Sequence, residues 1–129
     1  MFDLSGKTAL VTGASGGIGQ DIARCLHGAG VRVGLAGTRK NVLQELADEL
    51  GEGAEVLVAD LSSSDGAAAL AGAAEIALDG LDILVNNASS FYATPIGSVE
   101  EQQWEDLMGS NLKGPFFLAQ AASELLREH

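Results

Sequence analysis

Four short apolar runs alternate with segments of helical period along this chain, and no other feature constrains the fold as much. The runs are residues 7–12 (KTALVT), 31–36 (VRVGLA), 55–59 (EVLVA) and 81–86 (LDILVN), each of strand length and apolar enough to be buried. Between them, Ile18, Ile22, Ala23, Cys25, Leu26 and Ala29 recur at three- and four-residue steps before Gly30, and Val42, Leu43, Leu46, Ala47 and Leu50 share one helical face before Gly51. The serines at 62, 63 and 64, with Asp65 behind them, start an alanine-rich third helix that runs to about Leu78. The order βαβαβαβ with short connections demands right-handed crossovers and an open, parallel α/β sheet.

Past the fourth run, residues 88–97 form a loop with Pro95. Ser98-x-x-Glu101 reads as a capping box opening a helix with Val99, Trp104, Leu107 and Met108, and a last helix spans 115–127. No repeat or low-complexity linker interrupts residues 1–129, which read as one unit. Ile83, Leu84 and Val85 suit an interior strand, yet nothing follows to cover the outer edge. The expectation is that the sequence is the N-terminal part of a longer protein, or dimerises through that edge.

The 7 basic and 18 acidic residues leave a net charge of −11, a field that repels nucleic acid and anionic membrane surfaces. No apolar stretch reaches the roughly 18 residues of a membrane span. A lone cysteine, Cys25, and a start without a signal-peptide pattern make a cytoplasmic protein the expectation. Cys25 reads as core packing, as do Trp104 and Met108, which lie four apart. His27 suits the negative end of the first helix, and no cluster has metal-ligand spacing.

The glycines carry the first functional signal. Thr12-Gly-Ala-Ser-Gly-Gly-Ile-Gly19 puts Gly13, Gly17 and Gly19 between a strand and a helix, where unpaired N–H groups and the helix dipole can receive a pyrophosphate. At the end of the second strand, where NAD sites place a carboxylate for the ribose hydroxyls, stands Gly37-Thr38-Arg39-Lys40. An acid would repel a 2′-phosphate, whereas a guanidinium grips it, so the cofactor expected is NADP(H). The absence of Gly-Lys-Ser/Thr argues against an ATP-binding loop.

The glycine turn, Asp60-Leu61 after the third strand, Asn86-Asn87-Ala88 after the fourth, and Asn111 together resemble the short-chain dehydrogenase/reductase family. The resemblance covers nearly the whole chain but only the N-terminal half of such an enzyme. It implies a Rossmann-like doubly wound sheet, truncated, in strand order 3-2-1-4. Gly13, Ser15, Gly17, Ile18 and Gly19 would surround the pyrophosphate, and Thr38 and Arg39 the 2′-phosphate. Asp60, with Leu61 beside it, would meet the adenine amino group, and Asn86, Asn87 and Ala88 would brace the sheet beside the nicotinamide ribose. Asn111 would be the active-site asparagine that holds a water in a proton relay. The family's serine and Tyr-x-x-x-Lys do not occur here, since the only tyrosine, Tyr92, has Ile96 four residues later. The fragment alone is therefore expected to bind cofactor weakly and to catalyse nothing.

Residues 1–85 look most like 3-oxoacyl carrier-protein reductases, and residues 86–129 are similar to pteridine reductases, with Ser89 at a position that is glycine in most relatives. By that second likeness Phe91 would stack on a pterin. The substrate expected is a small molecule or a carrier-bound acyl group, and the full-length protein a homo-oligomer, with Phe116, Phe117 and Leu118 on a helix that the family places at an interface. A rival reading is a non-catalytic nucleotide-binding or subunit-interaction module.

Overall fold

The computed structural model describes residues 3–128. Strands β1 (Thr8–Val11), β2 (Arg32–Gly37), β3 (Ala54–Val58) and β4 (Ile83–Val85) pair in parallel in the order β3-β2-β1-β4. This is the expected Rossmann-like order. The helices are α1 (Gly17–Gly28), α2 (Lys40–Leu50), α3 (Ser64–Leu78), α4 (Glu101–Met108) and α5 (Gly114–Arg127), with a π-helical turn, Gly109–Lys113, between the last two.

Alternation along β1 divides the core. Ala9 and Val11 point into a cluster with Val33, Leu35, Leu43 and Leu46 under α1 and α2. Leu10 points the other way, into a cluster with Leu70, Leu78, Leu118 and Ala122 from α3 and α5. Each such buried leucine contributes about 1.5–3 kcal/mol relative to exposure. β4 divides likewise, with Leu84 on the α3/α5 side and Ile83 and Val85 opposite. It is shorter than the 81–86 run, and the side chains at both of its flanks bond to neighbouring elements. Thr8 donates its N–H to Asp82 Oδ2 at 2.8 Å, and Asn86 Nδ2 donates to the Pro115 carbonyl at 2.9 Å.

Three local expectations are corrected. The box opening α4 uses Glu100 and Gln103, whose Oε1 accepts from the Glu100 N–H at 2.8 Å, while Ser98 Oγ donates to the Pro95 carbonyl. Trp104 is 60% exposed, because α4 lies on the surface and buries none of its residues. Cys25 is exposed, since α1 turns Gly19, Ile22, Ala23 and Leu26 toward the sheet and position 25 falls outside that arc. His27, in the last turn of α1, pairs through Nε2 with the Glu52 carbonyl at 2.8 Å.

Candidate functional site

The carboxyl ends of β1 and β4 are joined by one buried hydroxyl. Thr12 is 0% exposed, and its Oγ1 accepts from the N–H groups of Asn87 and Ala88, both at 2.9 Å. Asn87 Nδ2 donates back to the Thr12 carbonyl at 3.2 Å. Gly13 then turns in the left-handed region, φ +63°, and a β-carbon there would lie 3.0 Å from Ala88 Cα and Asn87 Nδ2. A β-carbon on Gly19 would overlap the Gly13 carbonyl, whereas one on Gly17 would meet nothing within 4 Å. Gly13 and Gly19 are therefore required by the protein's own packing. Gly17 keeps an outward face bare.

That face lies over the start of α1. Gly16 caps the helix with no side-chain hydrogen bond, and the first turn holds no acid. The positive end of the dipole stays uncompensated. A groove of about 290 Å³ opens there, lined by Gly13, Gly16, Gly17, Ile18, Gly19, Arg39, Asn87 and Ser89. Ile18, 72% exposed, is its apolar wall. Arg39 caps α2 and Lys40 is that helix's first residue, so two cations occupy the end where the dipole disfavours them by about 0.3–1 kcal/mol each. Arg39 Nη2 donates to the Ser15 carbonyl at 3.1 Å, which leans the guanidinium across the glycine turn.

A second cleft of about 180 Å³ continues from the same glycine, lined by Gly13, Ala36, Gly37, Thr38, Ala59, Asp60, Leu61, Ser62, Ala88, Ser89 and Ser110. Asp60 Oδ1 accepts from the Ser62 N–H at 2.9 Å, and bonds from the Ser62 hydroxyl and N–H hold this carboxyl below its ordinary range. Leu61 is buried against α3 and α5. The loop's carbonyls abut glycines: β-carbons on Gly66 and Gly114 would collide with the Asp60 and Leu61 oxygens, and one on Gly109 would come within 3.2 Å of that of Ser62.

Asn111 lies in the π turn, a widened helical segment of a kind frequent at functional sites. Its Oδ1 accepts from the Ser90 N–H at 2.8 Å and its Nδ2 donates to the Ser90 carbonyl at 2.7 Å. Ser90 Oγ also pairs with Ser110 Oγ, and Tyr92 OH donates to Asp106 Oδ2 at 3.2 Å. Partial desolvation, then the bond to Asp106, pushes the Tyr92 phenol up. These bonds fasten the loop after β4 to the α4–π segment and leave Phe91 88% exposed.

The structure thus brings together Gly13, Gly17, Ile18, Gly19, Arg39, Asn87 and Ser89 in one groove, and Thr38, Asp60, Leu61, Ala88 and Ser89 in the cleft beside it. The Ser15 hydroxyl sits 3.5 Å from where a Gly37 β-carbon would be, between the two. Asn111 is adjacent to the cleft through Ser110, and Phe91 lines neither space. Sequence reasoning did not single out Thr12, Ser90 and Ser110 as site residues. Only Thr12 carried a signal, as a hydroxyl at the last position of a buried strand.

The family described as short chain dehydrogenase matches residues 7–129. Over 118 residues the chain is 47% identical to Nodulation protein G of Rhizobium sp. (strain N33), covering 92% of this chain and 48% of that one. The solved Pseudomonas aeruginosa RhlG/NADP active-site complex matches with a TM-score of 0.90 at 38% identity, over 99% of this chain and 52% of the other. A metagenomic short-chain oxidoreductase in complex with NADP gives 0.90 and 38%, over 97% and 58%. The chain spans about half the length of the curated relatives it matches. None of these three is named as a carrier-protein reductase or a pteridine reductase.

Proposed function

The chain belongs to the short-chain dehydrogenase family, and from that premise we propose that it supplies the NADP(H)-binding part of an oxidoreductase acting on a C=O or C=N bond of a small substrate. The observation that carries this reading is the groove over the uncapped, acid-free start of α1, with Arg39 on its wall. The N–H groups at the bare face of Gly17 receive the pyrophosphate, flanked by Ser15 and Ile18. Thr38 and Arg39 take the 2′-phosphate, an anion that turns the unfavourable placement of Arg39 and Lys40 at the start of α2 into an attraction. Asp60 and Leu61 hold the adenine, and Asn87 and Ala88 fix the nicotinamide ribose against the end of β4.

The nicotinamide supplies the hydride when bound. Asn111, the active-site asparagine of this proposal, has its side-chain amide engaged at both ends by Ser90. The group it offers a water in this proposal is its main-chain carbonyl, in the π turn. For the substrate we favour a flat heteroaromatic ring such as a pteridine over a carrier-bound 3-oxoacyl thioester. Ser89 lines both halves of the site and Phe91 presents an open ring face on the same loop. Phe116, exposed beside the partly buried Phe117, supports an interface in a homo-oligomer, whereas Leu118 belongs to the core.

Amide NMR of the labelled chain titrated with NADPH tests the cofactor reading. The shifts expected are at Gly17, Gly19, Arg39 and Asp60, and an unperturbed glycine turn at saturating NADPH contradicts it.

A further inference from the structure

Arg39 is an exposed side chain, yet the structure aims it in one direction through a chain of hydrogen bonds. Its Nη2 donates to the Ser15 carbonyl at 3.1 Å, and Gln20 Nε2 donates to the same oxygen at 3.0 Å. The other end of the Gln20 amide, Oε1, accepts from Arg24 Nη2 at 3.1 Å. Arg24 is in turn gripped by Glu49, with Nε to Oε2 at 2.7 Å and Nη2 to Oε1 at 3.1 Å, and by Asp21 Oδ1 at 2.9 Å. The series starts near the end of α2, crosses α1, and returns to the residue that caps α2.

Each link fixes the next. The Gln20 amide has one workable orientation, because a flip would set its NH₂ against the Arg24 guanidinium and its oxygen against the Ser15 carbonyl. With both lone pairs of Ser15 occupied, that carbonyl is held away from the groove, where it would face an incoming phosphate as a second acceptor. Arg39 shares this oxygen, so its plane follows it.

We propose that Gln20, backed by Arg24 and Glu49, is a positioning residue for cofactor selectivity, holding the Ser15 carbonyl that aims Arg39 at the 2′-phosphate. This rests on the NADP(H) reading of Arg39. The side chains of Arg24 and Glu49 are 40% and 52% exposed, and exposed pairs add little to stability. The effect therefore falls on selectivity and not on folding.

The test is equilibrium titration of the full chain with NADPH and with NADH, alongside thermal melts, for wild type, Gln20→Leu and Glu49→Ala. In Gln20→Leu the preference for NADPH over NADH falls about three- to tenfold, the value of one hydrogen bond, with NADH affinity and melting temperature little changed. Glu49→Ala discriminates by sign. Removing a negative charge would by field alone strengthen NADPH binding, whereas loss of the Arg24 grip weakens it relative to NADH. An unchanged ratio in Gln20→Leu, or a raised one in Glu49→Ala, overturns the inference while wild type keeps its NADPH preference. A wild type that does not prefer NADPH overturns the cofactor reading and this inference together. Should Gln20→Leu fail to fold, the sign of the Glu49→Ala effect decides.

Discussion

The Cα of Gly19 packs so closely on the carbonyl of Gly13 that no β-carbon fits between them, while Gly17, two residues earlier, faces open space. The two glycines of the same turn therefore fail differently when replaced. Gly19→Ala forces β1 and α1 apart and destabilises the fold by about 1–3 kcal/mol or more. Gly17→Ala leaves the melting temperature within a few degrees and weakens NADPH binding at least about tenfold, because its methyl occupies the place proposed for the pyrophosphate. Paired melts and titrations of the two variants check this.

Arg39→Ala removes the charge-assisted contact proposed for the 2′-phosphate and leaves the rest of the groove intact. A hydrogen bond to a charged group is worth about 1.5–3 kcal/mol, so NADPH affinity falls roughly 10- to 100-fold while NADH affinity stays level. The loss shrinks as salt rises, because the residue is exposed.

Thr12→Val keeps the shape and deletes the acceptor. The Ala88 N–H then loses its partner, at about 1–3 kcal/mol for a group left unpaired, whereas the Asn87 N–H keeps the Val85 carbonyl at 3.1 Å. Chemical denaturation shows a loss of at least about 1 kcal/mol, and Thr12→Ser, which restores the oxygen, recovers most of it.

Asp60 ties a pH dependence to the loop after β3. Its folded-state carboxyl is held below the ordinary value of 3.8, first by the Ser62 hydroxyl and then by the Ser62 N–H. A lowered folded value adds stability that is complete above the unfolded one and is lost as pH falls through the folded one. Wild type is thus more stable than Asp60→Asn at neutral pH, and the gap closes below pH 3.8. Urea melts across pH 7 to 2.5 follow it.

The layout was legible because apolar period and turn residues agree at every strand and at the first three helices. The glycine turn was legible too, since a strand before it and a helix after it leave few other uses for the spacing. What escaped depends on distant contacts. Gly66 and Gly114 carry no local signal, yet each meets a carbonyl of the Asp60–Leu61 loop, and Gly72 on the same helix as Gly66 meets nothing. Cys25 escaped because an apolar residue one step off a helix's inward arc looks the same in sequence as one within it, and Trp104 because α4 lies on the surface. The π turn at Asn111 has no local period to announce it.

The glycine contrast is itself testable. Gly72→Ala stabilises the fold by roughly 0.5–1 kcal/mol through helix propensity alone, and Gly114→Ala destabilises it, because its methyl meets the Leu61 carbonyl. Opposite shifts in melting temperature are the expected result.

The start of α1 and Arg39 together form the seat we propose for a dinucleotide carrying a 2′-phosphate. Side-by-side equilibrium titration of the purified chain with NADPH and NADH tests it most directly. Saturable binding of both, tighter for NADPH by about tenfold or more, is the predicted result; no saturable signal, or equal affinities, contradicts it.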